Sequence, residues 1–361
     1  MNSKFWKDKR VLITGHTGFK GSWLSLWLQQ MGANAVGYAL LPPTEPSLFD
    51  IAKVSDGMIS ITGDIRDLDR FKKTIKKYKP EIVIHMAAQA LVRESYNNPI
   101  DTYSTNVMGT VNVLEAVRCS DFVNVLVIIT SDKCYENCEW VWGYRETDSM
   151  GGHDPYSSSK ACAELITSAY YRSYFEQAEN PGRYPVVATT RAGNVVGGGD
   201  WASNRLVPDI MKAFMNEKPV VIRYPNAIRP WQHALEPIRG YLMLAENLWE
   251  HGHKFAGAWN FGPRDEDAKP VSWVADFLSQ KWGDSAHWEL DPNYNLHEAT
   301  FLKLDCSKAR SFLGWKPKIR LNTTLEWVVE WYKAYLETQD IRQFTITQIA
   351  HYEKYFISAG E

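Results

Sequence analysis

Three glycines follow the first apolar run of the sequence at a fixed spacing. The run RVLIT at 10–14 predicts a β-strand, and an amphipathic stretch from about Gly18 to Gln30 predicts a helix. A turn between them can bring backbone N–H groups close to an anion only where side chains are absent, and the helix N-terminus favours negative charge. The pattern predicts a dinucleotide site in the segment GHTGFKG, made of Gly15, His16, Thr17, Gly18, Phe19, Lys20 and Gly21.

Short apolar runs alternate with amphipathic stretches in the first half of the chain. The runs at 34–38, 59–62, 81–87, 123–130 and 186–192 predict strands, and the stretches at about 68–78, 100–119 and 157–175 predict helices. Nearly continuous apolar strands indicate a parallel sheet that is covered on both faces. The fold class is therefore α/β, a doubly wound sheet of the Rossmann type.

Loops and shorter helices replace this pattern from about Gly193. We predict a Rossmann domain at 1–192 and a smaller C-terminal α/β lobe for the substrate at 193–361, with segments near 225–265 returning to the first domain. No linker separates the two parts, so we expect them to share a cleft.

The composition narrows the possible partners and location. A formal charge of -2 and 45% apolar residues give no basis for nucleic-acid binding. No stretch reaches the roughly 20 apolar residues of a membrane span, and the N-terminus lacks the apolar segment of a signal peptide. Five scattered cysteines fit a reducing compartment, so we expect a cytoplasmic protein. Cys134 and Cys138 have no second pair at zinc-site spacing, and we predict no metal.

The segment PYSSSK places Tyr156 and Lys160 on one face of a predicted helix. A nearby ammonium group, together with the charge of a nicotinamide, can lower the pKa of a phenol and make it a base. Ser131 lies upstream, at the end of a predicted strand, and completes a Ser, Tyr, Lys set. The set resembles the triad of short-chain dehydrogenases, which implies that Tyr156 takes a hydroxyl proton while a hydride leaves the same carbon.

Two charged residues follow Ser131 in the segment TSDKCY. Asp132 and Lys133 could form an ordinary surface ion pair. Their place between Ser131 and Tyr156 instead favours a proton donor and a proton acceptor held over a substrate.

The glycine spacing and the Tyr-x-x-x-Lys segment resemble those of the extended short-chain dehydrogenase/reductase superfamily. The resemblance implies NAD as the cofactor. The strand at 34–38 ends in Ala39 and Leu40 rather than in the usual acid, and the lack of a nearby Arg favours NAD over NADP. The alternative role of Asp64 is a turn acid that caps the next helix. Further cofactor contacts implied by the resemblance are Asp64, Ile65, Ala87, Ala88, Gln89, Asn106 and Thr130.

Two later segments are similar to substrate-binding segments of the same superfamily. RAGNVVGGGDW places Asn194 at a sugar-nucleotide contact, and IRPWQHALEP places Arg229 where its planar fork can bind a pyrophosphate. The resemblance also implicates Arg205. His297 stands where relatives carry a basic residue near the nucleotide, although it could be a plain loop histidine.

The Asp-Lys pair resembles that of the nucleotide-sugar 4,6-dehydratases that act on CDP-glucose. In such an enzyme Tyr156 takes the C4 hydroxyl proton, Lys133 removes the C5 proton and Asp132 protonates the departing C6 hydroxyl. Burial would have to raise the pKa of Asp132 and lower that of Lys133. The alternatives are a dehydratase for a UDP- or dTDP-linked sugar, and a non-catalytic NAD-binding protein. Apolar residues around the helices at 100–119 and 157–175 predict a homodimer or a dimer of dimers.

Overall fold

The computed structural model describes residues 2–176, 185–283, 286–291 and 302–357, and a seven-stranded parallel sheet lies at its centre. The strands of the described residues, in chain order, are β1 (Arg10–Thr14), β2 (Asn34–Ala39), β3 (Ile59–Thr62), β4 (Ile82–His85), β5 (Val125–Ile129), β6 (Val186–Ala192), β7 (Val195–Val196), β8 (Val220–Ile222), β9 (Ile228–Pro230), β10 (Gln232–His233), β11 (Gly257–Phe261), β12 (Ala268–Pro270) and β13 (Trp288–Leu290).

The order of the strands in the large sheet is β11-β6-β5-β4-β1-β2-β3. Successive strands run outward from β1 in one direction and from β4 in the other, so the direction of winding reverses between these two strands. The loops after β1 and β4 therefore separate and leave a crevice at their carboxyl ends, which is where ligands bind in sheets of this kind. Small two-stranded sheets, β7 with β10, β8 with β13 and β9 with β12, lie beyond β6 in the chain.

Helices cover the sheet and also occur among the small sheets that follow β6 in the chain. They are α1 (Ser3–Trp6), α2 (Phe19–Gln30), α3 (Leu48–Ile51), α4 (Leu68–Tyr78), α5 (Val92–Asn97), α6 (Pro99–Tyr103), α7 (Gly109–Arg118), α8 (Pro155–Tyr170), α9 (Leu206–Met215), α10 (Leu235–His251), α11 (Val271–Trp282), α12 (Ser307–Leu313), α13 (Leu321–Leu336) and α14 (Ile341–Ile357).

The strand β5 shows why its sequence is apolar throughout. All of its residues are buried, because alternate side chains point to opposite faces of the sheet and both faces are covered. Val125, Val127 and Ile129 pack in the core that contains α2 and α10, whereas Leu126 and Ile128 pack in the core that contains α4 and α7. The expectation of a doubly wound α/β sheet is confirmed.

Two long predicted helices are interrupted by a wider turn. The stretch at 100–119 consists of α6, a π-helical turn at Ser104–Met108 and α7, and the stretch at 157–175 consists of α8 and a π-helical turn at Tyr171–Phe175. The first turn contains the buried Asn106, whose contacts are described below. Each π-helical turn shifts the helix face by one residue, which hydrophobic periodicity does not reveal.

The end of the chain forms a helix that sequence patterning did not predict. Tyr352 of α14 donates a hydrogen bond to Glu236 Oε2 at 2.6 Å, and Glu353 accepts one from Trp27 Nε1 in α2 at 2.8 Å. Buried residues such as Ile349 and Tyr352 face the rest of the protein. The helix therefore braces α2, the helix that follows the glycine loop.

Within the described residues, no helix combines the length and the apolar character needed to cross a membrane.

Candidate active site

The glycine loop has two glycines that pack against backbone and one that faces open space. A β-carbon at Gly21 would lie 2.1 Å from the carbonyl oxygen of Gly15, and one at Gly15 would lie 2.7 Å from the Ala87 nitrogen. Gly15 also has a φ of 76°, which side chains disfavour. At Gly18, which caps α2, a β-carbon would come no closer than 3.5 Å to any other group. The open side at Gly18 fits the close approach of a pyrophosphate to the start of α2.

The side chains of the loop have different surroundings. His16 is fully buried, its Nε2 lies 2.7 Å from Ser60 Oγ, and burial lowers its pKa to about 4, so the ring is neutral. Thr17 donates a hydrogen bond to the Leu40 carbonyl, and Phe19 packs near Gly197. These side chains hold the loop in place.

Lys20 points toward the catalytic groups. Burial, helped by the positive charges of Lys160 and Arg205, lowers its pKa to about 7. Its Nζ lies 6.0 Å from the centre of the Tyr241 ring. The loop thus contributes an amine to the catalytic side of the crevice as well as a cradle for an anion.

The remaining predicted cofactor residues follow β3 and β4 in the chain. Asp64 forms an ion pair with Arg66 at 2.6 Å, and the hydrogen bond from Arg66 lowers the pKa of Asp64. Ile65 is buried against α7 near Gly109. Ala87 donates its backbone N–H to Thr14 Oγ1, and Ala88 and Gln89 follow it at the crevice.

The side chain of Asn106 joins the cofactor segment to the catalytic helix. Its Oδ1 accepts a hydrogen bond from the Gln89 N–H at 2.8 Å, and its Nδ2 donates to the Gln89 carbonyl at 3.0 Å and to Ser159 Oγ at 2.9 Å. Both ends of the amide are therefore used, and Asn106 links the Gln89 backbone to the Ser159 side chain of α8. Its direct contact with a cofactor stays a prediction.

Ser131 and the charged pair form a tight turn at the end of β5. Ser131 donates its hydroxyl to Asp132 Oδ1 at 3.0 Å, and the Lys133 N–H donates back to Ser131 Oγ at 3.3 Å. Asp132 is only 4% exposed and Lys133 is half-buried. Burial raises the pKa of Asp132, although the charges of Lys133 and Arg229 and the hydroxyl of Ser131 oppose the shift. Burial thus makes Asp132 a weaker acid than an exposed aspartate.

Tyr156 and Lys160 lie in the first turns of α8, whose N-cap, Asp154, accepts a hydrogen bond from Ser157 N. Burial raises the pKa of Tyr156 to about 12, against the effects of the Ser131 hydroxyl and the Arg205 charge. Burial lowers the pKa of Lys160 to about 8, and its Nζ donates to the Ile129 carbonyl at 3.2 Å. The structure therefore brings the hydroxyl of Ser131 next to the phenol of Tyr156, as the spacing of the residues predicted.

A buried ion pair lies behind this set and was missed by the sequence analysis. Glu164, one turn after Lys160, accepts two hydrogen bonds from Arg191 of β6, at 3.0 and 2.8 Å, and another from Thr130 Oγ1. Arg191 also donates to Tyr135 OH at 2.6 Å. The pair links the end of β5 to α8 and β6. The available signal was the spacing of four between Lys160 and Glu164, which places both on one face of the helix.

The predicted substrate residues that the structure describes all follow β6 in the chain. The Asn194 carbonyl accepts a hydrogen bond from Gln232 N at 3.0 Å. Arg205 is held by Asp200, a residue that the sequence analysis did not assign, at 3.1 Å. Arg229 lies on β9 close enough for its charge to act on Asp132. His297 lies outside the described residues. Their contacts with substrate stay predictions.

The parallel sheet, the glycine loop after β1 and the pair of Tyr156 and Lys160 in α8 define a short-chain dehydrogenase/reductase. The model of the GDP-mannose 4,6 dehydratase family matches residues 12–328. The chain is 54% identical, over 98% of its length and 98% of the relative's, to a CDP-glucose 4,6-dehydratase from Salmonella typhimurium. The chain belongs to this family of nucleotide-sugar 4,6-dehydratases.

More distant proteins share the fold. The structure of a dTDP-glucose 4,6-dehydratase from Bacillus anthracis in complex with NAD matches with a TM-score of 0.76 at 22% identity, covering 92% of this chain and 98% of that one. The structure of a UDP-glucose 4-epimerase from Thermotoga maritima with UDP-glucose matches with a TM-score of 0.76 at 21% identity, covering 90% and 99%.

Replacing Gly18 and Gly21 separately by alanine tests the different roles assigned to these two glycines. Gly21→Ala should lower the midpoint of thermal unfolding, because its methyl group meets backbone at 2.1 Å. Gly18→Ala should unfold close to the wild-type temperature but bind NAD at least about tenfold more weakly, since its methyl group occupies ligand space. Calorimetry and fluorescence titration measure both effects. Unchanged NAD binding by Gly18→Ala would place the pyrophosphate elsewhere.

Proposed function

We propose that this chain converts CDP-glucose to CDP-4-keto-6-deoxyglucose and water, with NAD as a catalytic cofactor in deoxysugar biosynthesis. The observation that carries the proposal is the buried acid Asp132 beside Ser131 and Tyr156, in a chain that is 54% identical to a CDP-glucose 4,6-dehydratase. Residues 1–192 would bind the cofactor, and 193–361 the nucleotide sugar. The free cysteines of the chain support a cytoplasmic location.

The glycine loop, Asp64, Ile65 and the segment 87–89 would hold NAD. When bound, NAD accepts a hydride from C4 of the sugar and later returns it to C6. The positive charge of its nicotinamide also favours the phenolate of Tyr156, which burial in the protein opposes. Lys160, which donates a hydrogen bond to the Ile129 carbonyl, adds a second positive charge at the start of α8.

The side chains of the site account for the proton movements. Tyr156 takes the proton of the C4 hydroxyl, and the resulting ketone makes the C5 proton acidic. Lys133 removes that proton, while the carboxyl of Asp132 gives its proton to the leaving C6 hydroxyl, which departs as water. Lys133 then returns its proton to C5 as the hydride reaches C6, and Tyr156 releases its proton to solvent. The carboxylate of Asp132 then regains a proton from solvent.

Substrate choice is tested by incubating the protein with CDP-, dTDP-, UDP- and GDP-linked glucose or mannose. We expect the ultraviolet absorbance of a 4-keto-6-deoxy product in base to develop at least about tenfold faster with CDP-glucose, since one lost base contact costs about 1–3 kcal/mol. Faster turnover of a UDP- or dTDP-linked sugar would show that this sugar, and not CDP-glucose, is the substrate. Failure to turn over any of them would favour a non-catalytic NAD-binding protein.

Substitution of the acid and the base should separate the two halves of the reaction. Asp132→Asn and Lys133→Ala should lower product formation by about 10²-fold or more while C4 oxidation, followed as the absorbance of reduced NAD, continues. Tyr156→Phe should lose both. Since Asp132 acts as the protonated form, wild-type dehydration should fall as the pH rises through its raised pKa. Dehydration at the wild-type rate by either variant would contradict the assigned roles.

We further propose that the protein forms a homodimer, or a dimer of dimers, through α5 to α8. This surface carries exposed apolar side chains, including Ile100 at 84% and Leu165 at 58% exposure, on neighbouring helices. Exposed apolar patches of this kind mark association sites. Light scattering should report a dimer for the wild type and a monomer for Ile100→Glu with Leu165→Glu. Phe312→Glu, a matched change at an exposed residue of α12, should leave the dimer intact, and a monomeric wild type would remove the proposal.

A further inference from the structure

Gly193 lies where the acid turn, β6 and the substrate lobe meet. It follows β6 directly and precedes Asn194. A β-carbon at Gly193 would lie 2.9 Å from Asp132 Oδ2 and 3.0 Å from Pro230 Cγ. Carbon atoms are best separated by about 3.5–4.0 Å, so both groups occupy the space that a side chain would need.

The backbone of Gly193 does not itself require glycine. Gly15 and Gly199 have φ values of 76° and 78°, which disfavour side chains, but Gly193 does not have such a positive φ. The absence of a side chain at this position therefore serves the neighbouring groups rather than the local conformation.

The carboxyl of Asp132 is held from two sides. Oδ1 accepts the Ser131 hydroxyl at 3.0 Å, and Oδ2 faces Gly193. Because Asp132 is only 4% exposed, its carboxyl has little room to turn away from an added methyl group. Such a group would displace Oδ2 from the space beside Gly193, which we call the slot, and would change the orientation of the carboxyl.

We propose that Gly193 is a positioning residue for the dehydration step. Its missing side chain leaves the slot from which the carboxyl of Asp132 gives its proton to the departing C6 hydroxyl. The inference rests on the proposed function, because it assigns to Gly193 a part in the second half of that reaction only. The hydride transfer from C4 and the proton transfer to Tyr156 do not use the slot.

The test compares the two half-reactions in Gly193→Ala. Misplacement of a catalytic group by about 1 Å can cost roughly 10²-fold, so we expect the formation of the 4-keto-6-deoxy product to fall by about 10- to 100-fold. C4 oxidation, followed as reduction of bound NAD by CDP-glucose in a single turnover, should change by less than about threefold, since the slot lies outside that step. Binding of CDP, measured by calorimetry, should stay at the wild-type value.

Gly262→Ala is the matched control. A β-carbon at Gly262 would lie 3.2 Å from Leu304 Cβ and 3.3 Å from Cys306 Sγ, so the variant is similarly crowded but does not touch Asp132. Its ratio of dehydration to C4 oxidation should equal that of the wild type.

Three outcomes for Gly193→Ala would overturn the inference. They are a wild-type rate of dehydration, an equal loss of oxidation and dehydration, and a loss of CDP binding, because each would show that the slot does not aim the acid. A wild-type protein that neither reduces bound NAD nor releases product with any nucleotide sugar would instead refute the proposed function, and this result is distinct from the other three.

Discussion

The close backbone contact between Gly15 and Gly21 sets the geometry of the carboxyl edge of the sheet. Helix α2 can begin directly above β1 only because Gly21 has no side chain. A β-carbon at Gly21 would lie 2.1 Å from the carbonyl oxygen of Gly15. From that start, Trp23 of α2 donates to the Gly198 carbonyl at 3.0 Å and Trp27 donates to Glu353 at 2.8 Å. The placement of α2 thus links the sheet to the segment that contains Gly198 and to helix α14.

Burial is the common cause of the electrostatics at the site. It raises the pKa of Asp132, lowers that of Lys160 to about 8 and lowers that of Lys20 to about 7. Each shift favours the neutral form, because charges lose hydration in the crevice. The pair of Glu164 and Arg191 is the exception, since its two charges satisfy each other by hydrogen bonds at 2.8 and 3.0 Å. A buried pair of this kind can fix the positions of β5, β6 and α8 without adding a net charge near the acid.

The sequence predicted those features whose cause is local. The strands and the glycine loop follow from apolar runs and from missing side chains, and the spacing of Tyr156 and Lys160 follows from the helical period. The structure added features that depend on residues far apart in the chain. Arg191 pairs with Glu164 only because β6 lies beside β5. The missing side chain at Gly193 matters only because Asp132 lies next to it in the folded chain. Helix α14 was missed because its partners in α2 and α10 are more than 100 residues away.

Epimerases and dehydratases share this fold, so the fold alone does not determine the chemistry. The two halves of a dehydration make opposite demands, since Tyr156 needs positive charge close by whereas Asp132 must stay neutral. The two side chains share one neighbour, because the hydroxyl of Ser131 acts on both, but their other surroundings differ. Arg205 and the Ser131 hydroxyl favour the phenolate of Tyr156. The carboxyl of Asp132 instead lies beside Gly193, where little solvent reaches it. A side chain at Gly193 would act on the acid and leave Tyr156 untouched, which makes the space beside Asp132 a structural requirement of water elimination rather than of C4 oxidation.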